Sequence, residues 1–149
     1  LSSSSFKKQS EVRIASLDEL KKYILEETAQ WSSRCVVLLS GPMGAGKTEF
    51  VRQWGSLKNI STVSSPTYAL HQSYTIADHL DLYRLNNESE LETTGFWDLF
   101  SEKQGLIFIE WPEKMRLEQL PQSWSCVWYK IMLELPESSL RKIEKYVRS

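Results

Sequence analysis

Eight consecutive residues, Gly41-Pro42-Met43-Gly44-Ala45-Gly46-Lys47-Thr48, fit the pattern G-x-x-x-x-G-K-[ST] without a mismatch. Glycines at those spacings let the backbone curl until successive N–H groups point inward and form an anion-binding nest. A helix starting at the lysine adds unpaired amides and the positive end of its dipole. Lys47 brings a point charge to the outer phosphates, and the Thr48 hydroxyl suits the shell of a magnesium ion beside them. The expected nucleotide contacts are Gly41, Met43, Gly44, Ala45, Gly46, Lys47, Thr48 and Glu49, mostly through backbone amides, the Glu49 amide holding an inner phosphate.

Phosphoryl transfer also needs acids that reach the metal and orient the nucleophile. Glu110 ends the buried-looking run "LIFIE", where a carboxylate is costly to bury unless a cation or metal pairs with it. In a doubly wound sheet the C-terminal ends of the strands face the ligand crevice. Glu110 is therefore the first candidate for the metal-side acid, together with Thr48. Asp81, in "HLDLYRL", alternates with Leu80 and Leu82 and so lies on the opposite face from them. It is the second acid, with a salt bridge to Arg84 as the structural alternative. Thr67 belongs to "SSPTY", a loop stiffened by Pro66; such a loop fits a γ-phosphate sensor and, equally, an ordinary hydrogen-bonded turn. The candidate catalytic set is Lys47, Glu110, Asp81 and Thr67. His71 and His79 have no third ligand at metal spacing and read as ordinary polar residues.

Positioning these groups requires a strand before the loop and a helix after it. "CVVLLS" (35–40) is continuously apolar, as expected of a strand covered on both faces, and Phe50, Trp54 and Leu57 mark a helix from Lys47 to Leu57. Upstream, "EVRIAS" reads as a short strand, and Ser16 with Glu19 forms a capping box ahead of an amphipathic helix over 17–32. Residues 60–77 read as a strand, a loop and another strand, 79–85 as a further strand, and Asn87 as the cap of a helix to Phe100. "GLIFIEW" (105–111) and "SCVWYKIMLEL" (125–135) read as strands, and "SSLRKIEKYVRS" as a terminal helix. Strands and helices intermix without a break. This predicts one α/β domain over 11–149, a mainly parallel sheet flanked by helices of P-loop NTPase type, after a disordered tail over 1–10.

At 149 residues, 41% hydrophobic and 25% charged, the composition is that of an ordinary soluble globular protein. A formal net charge of −1 gives no bulk attraction to nucleic acid or to an acidic membrane. No apolar run approaches the ~20 residues of a membrane span, and a cytoplasmic protein is expected. Cys35 and Cys126 lie in strand-like runs and read as small core residues rather than as a disulfide or metal pair.

Taken in order, "GPMGAGKT", "SPTYAL", "HLDLYRL" and "IEWPE" resemble the motifs of the bacterial tRNA threonylcarbamoyladenosine biosynthesis ATPase family, TsaE, over residues 14–135. The glycine loop alone is widespread; the three motifs after it make the combination specific. The resemblance implies a small P-loop ATPase that binds ATP or ADP with Mg²⁺ and hydrolyses ATP slowly. It further implies TsaD and TsaB homologues as partners, tRNA met only indirectly through their complex, and no membrane. By the same resemblance Gly44 to Thr48 bind phosphates, Thr48 and Glu110 serve the metal, and Thr67 belongs to a switch-like loop. Asp81 falls in the second acidic motif, and Trp111 beside Glu110. Two features depart from the family pattern, whose loop usually reads G-D-L-G-A-G-K-T. Pro42 and Met43 replace the usual Asp and Leu, and Glu49 replaces a second Thr, bringing a carboxylate near the phosphates. Ser16, near the first helix start, is the candidate for an adenine contact. A small-molecule kinase of shikimate-kinase type is the alternative reading of the loop, although no arginine-rich lid stretch accompanies it.

Overall fold

Cys35, Val37 and Leu39 pack into one hydrophobic cluster, Val36 and Leu38 into another, and all five are buried. A strand with two apolar faces needs a covering layer on each, and this strand is the centre of the fold. The computed structural model describes residues 5–60, 71–73, 77–93, 95–102, 105–134 and 140–148. Within them, seven strands form one sheet: β1 (Phe6–Ile14), β2 (Arg34–Ser40), β3 (His71–Ser73), β4 (Ala77–Asp81), β5 (Gly105–Glu110), β6 (Ser125–Leu133) and β7 (Arg141–Arg148). Their order is β1-β7-β6-β2-β5-β4-β3. The central strands β6, β2, β5 and β4 are parallel, and antiparallel pairs close both sides: β3 on β4, and β7 on β6 with β1 beyond it.

Helices α1 (Leu17–Thr28) and α2 (Lys47–Leu57) cover one face, setting Leu20, Ile24, Phe50 and Trp54 against Val37, Leu39, Phe108 and Tyr129. The shorter α3 (Glu88–Thr93) and α4 (Leu99–Glu102) cover the other, setting Leu91, Leu99 and Phe100 against Val36, Leu38, Ile107 and Ile109. Ser16 caps α1 by accepting from the Glu19 amide at 3.1 Å. The Glu19 carboxylate reaches back to the amide of Ala15 at 2.7 Å, one residue earlier than the capping box predicts. Among the described residues, no helix is long and apolar enough to cross a membrane.

Several boundaries differ from expectation. Residues 6–10 are not a tail: they open β1, which pairs with β7 from Phe6↔Arg148 to Ile14↔Arg141. As an edge strand β1 can expose Lys7 and Lys8, so apolar alternation is missing from its sequence. The terminal helix is corrected to a strand. Ile143 and Val147 are four residues apart, which suits either period, but β7 sets them on one face with the buried Lys145 between them. Lys145 is retained there by an ion pair with Glu27 of α1 at 2.7 Å. The strand expected over 79–85 stops at Asp81, and the helix expected from Asn87 to Phe100 breaks at Gly95, whose φ of 76° no helix allows. The expected elements between 61 and 70 lie outside the described residues.

Parallel pairing fixes where the acids fall. Leu39 and Asp81 both stand opposite Glu110 in register, so β2, β4 and β5 end at one edge of the sheet. The glycine loop leaves β2 at that edge.

Candidate active site

The loop's shape depends on glycine at two points. A Cβ on Gly41 would lie 2.1 Å from the Ile131 carbonyl oxygen of β6, so any side chain there forces the loop off the sheet. Gly46 precedes α2 with φ 112°, in the left-handed region, and α2 has no side-chain cap. Its first amides are thus left to an anion. Nε of Arg141, the first residue of β7, donates to the Ala45 carbonyl at 2.6 Å. With its carbonyl held by Arg141, the planar Ala45–Gly46 peptide keeps its N–H turned the other way.

Lys47 is buried, and its ammonium donates to the carbonyls of Gly41 at 2.6 Å and Pro42 at 3.0 Å. It also lies 4.4 Å from the centroid of the Trp111 ring. Burial pushes the Lys47 ammonium below the usual lysine range, while the Glu110, Asp81 and Glu113 carboxylates oppose that shift. Trp111 leaves β5 with φ 61°, and its ring packs 5.0 Å from that of Tyr83.

Thr48, one residue into α2, donates its hydroxyl hydrogen to Glu110 Oε2 at 2.9 Å. The same oxygen lies 2.6 Å from His79 Nε2. Asp81 accepts from the Tyr83 amide at 3.0 Å, and this Asx-type turn ends β4. Glu49 is tied back along its helix: its carboxylate accepts from Arg52 at 2.6 Å and from Gln53 at 2.6 Å. Those bonds draw the Glu49 carboxylate along the helix toward its next turn.

These groups line a cleft of about 510 Å³. Its lining joins Met43, Gly44, Gly46, Lys47, Thr48, Glu49, Asp81 and Glu110 to Ser16 and the apolar Ile14, Leu17, Leu20, Ile131 and Ile143. Gly41 and Ala45 stand behind the wall as supports, and Thr67 lies outside the described residues. Two residues at the site escaped sequence reasoning. His79, read as ordinary, is fully buried against Glu110, and Arg141 reaches the loop from a segment expected to be helical. The pairing of His79 with a strand-end acid was hidden in "HLDLYRL", because only the register of β4 on β5 brings the two together.

A seven-stranded sheet with a parallel centre, helices on both faces and a glycine loop between β2 and α2 define a P-loop NTPase-type α/β protein. The crystal structure of Bacillus subtilis YdiB superposes with a TM-score of 0.68 over 97% of this chain and 88% of that one, at 24% identity, a likeness of fold. A family model described as threonylcarbamoyl adenosine biosynthesis protein TsaE matches residues 14–143. The chain belongs to the TsaE family. A Haemophilus influenzae protein described as tRNA threonylcarbamoyladenosine biosynthesis protein TsaE is 44% identical over 86 residues, 53% of this chain and 52% of its own length. A Synechocystis protein of the same description is 37% identical over 112 residues, 65% of this chain and 70% of its own. The chain spans about half the length of the Haemophilus relative.

Proposed function

We propose that the chain binds ATP with Mg²⁺ and hydrolyses it slowly in the cytoplasm. The activity supports formation of threonylcarbamoyladenosine on tRNA, together with TsaD and TsaB homologues. The observation that carries the reading is the contact between Thr48 and Glu110 at 2.9 Å, which joins the phosphate loop to a buried strand-end acid. Hydroxyl and carboxylate oxygens are the hard donors that Mg²⁺ prefers, usually one or two from the protein with phosphate and water completing the shell. Thr48 and Glu110 would hold the ion, which when bound offsets charge on the transferred phosphoryl group.

The remaining steps belong to side chains and amides of the loop. The α2 amides and the nest bind the phosphates. Lys47 exchanges its two carbonyl partners for phosphate oxygens, and Asp81 lies beside Glu110 in register to order the attacking water. The apolar part of the cleft lining, with Ile14, Leu17 and Ile143, suits a purine face, and Ser16 is among the lining residues. Membership of the TsaE family supports the link to tRNA modification, whereas the kinase reading finds no support there.

The arrangement of the arginines supports the expectation of a weak rate in isolation. Among the described residues, Arg141 is the one arginine lining the cleft, and its Nε is taken by the Ala45 carbonyl. A transition-state charge supplied by a partner is worth about 10³-fold or more in other P-loop enzymes. Steady-state phosphate release is the test, measured on the purified chain alone and then with both partners and tRNA. Equal rates without physical association would overturn the partner model.

A further inference from the structure

We propose that His79 is a positioning residue for Glu110: it pins one carboxylate oxygen so that the other is presented to the cleft. The inference rests on the ATP-hydrolysis reading and names a group which that reading does not use.

The sheet's alternation brings the three residues together. Leu80 and Leu82 enter the cluster under α3 and α4, so His79 and Asp81 face the α1–α2 side. On β5, Phe108 enters the α1–α2 cluster while Ile107 and Ile109 enter the other, which sets Glu110 on the same side as His79. His79 stands opposite Phe108 in register, two residues before Glu110, and reaches the acid diagonally. Thr48 arrives at that oxygen from α2. Oε2 therefore meets two donors, Thr48 Oγ1 at 2.9 Å and His79 Nε2 at 2.6 Å. No donor among the described residues meets Oε1.

A glutamate's last torsion is broad and nearly two-fold, so one hydrogen bond leaves the carboxylate free to tilt or swap oxygens. Two donors on one oxygen, from different elements, remove that freedom. His79 is 0% exposed, its ring makes a T-shaped contact with Phe108, and its Nδ1 is buried without a partner among the described residues. A polar ring buried for packing alone would be better replaced by an apolar one, because burying an unpaired nitrogen costs free energy. The contact with a carboxylate makes Nε2 the donor. Hydrogen bonds that orient a ligating carboxylate are typically worth 10–100-fold in metal affinity or activity.

The test compares His79→Gln, His79→Asn and His79→Phe in the full chain, with partners present. Glutamine places an amide nitrogen near the position of Nε2; asparagine reaches only as far as Nδ1; phenylalanine fills the space without donating. The expected result is that glutamine retains most of kcat. Asparagine and phenylalanine should lose about 10–100-fold with KM for ATP little changed and a raised Mg²⁺ requirement. A fully active His79→Phe, or a glutamine variant no better than the asparagine one, would overturn the proposal. A second arm needs no turnover. In nucleotide-free protein the imidazole nitrogen spectrum should show the proton on Nε2, and Glu110→Ala should shift or broaden that signal. A His79 signal indifferent to Glu110→Ala also overturns the proposal. If the wild-type chain releases no phosphate under any condition, the hydrolysis reading fails by itself, and the spectroscopic arm still decides whether His79 holds Glu110.

Discussion

The Lys47 ammonium lies over the Trp111 ring at 4.4 Å while donating to the carbonyls of Gly41 and Pro42. One side chain thereby spans the loop after β2 and the turn after β5. The left-handed backbone of Trp111, φ 61°, aims the indole back across the strand end at the lysine. Charge, ring and acid sit together at the end of the cleft where phosphates would bind.

Lys47→Ala removes the charge and leaves the amide nest. Hydrolysis is expected to fall by ~10²-fold or more and ATP affinity to weaken. The fold should persist, because burial already disfavours this ammonium. Phosphate release and calorimetric titration check both points; normal hydrolysis in a folded variant would place the working site elsewhere.

Glu110→Gln keeps the shape and removes the charge. Hydrolysis should fall ~10²-fold, roughly 3 kcal/mol of transition-state stabilisation, while ADP binding without metal changes little. Asp81→Asn should cost less, since Asp81 is tied to the Tyr83 amide whereas Glu110 touches Thr48 directly. A larger loss from the Asp81 variant would reverse the order of the two acids.

Arg141→Ala frees the Ala45 carbonyl. Hydrogen bonds from charged groups contribute about 1.5–3 kcal/mol, so nucleotide affinity should weaken by roughly tenfold or more, with lysine at this position recovering only part. Calorimetry with ADP reads the change, and unaltered affinity would show that the loop holds its shape unaided.

Burial pushes the Cys126 thiol up to about 12 and raises that of Cys35. At pH 8 the native Cys126 thiolate fraction is then about 10⁻⁴, so a thiol-reactive dye should label neither cysteine until denaturant is added. Rapid labelling of native protein would mean that the sheet opens locally.

The residues proposed to bind phosphate were legible because their chemistry is local. A glycine nest, its lysine and its threonine are consecutive, and the apolar run before them could only be a buried strand. Glu110 was also readable because it ends an apolar run, and Asp81 because it alternates with Leu80 and Leu82. What could not be read is set by pairing at long range. His79 gains its partner through the β4–β5 register, and Arg141 meets Ala45 because β7 folds back beside β6. The strand β1 looked like a polar tail because an edge position asks little of one face.

The bond from Arg141 to Ala45 has a consequence for how the protein is made. The two residues are 96 positions apart, and the loop leaves the ribosome first. At ordinary elongation speeds of about 5–20 residues per second, roughly 5–20 s separate the synthesis of the glycine loop from that of the arginine steadying it. Through that interval the nascent chain carries its nucleotide signature without the bond from Arg141. On the proposed reading, a firm grip on ATP waits until β7 has been made, and a message cut short before β7 yields a chain that carries the motif without the bond that steadies it.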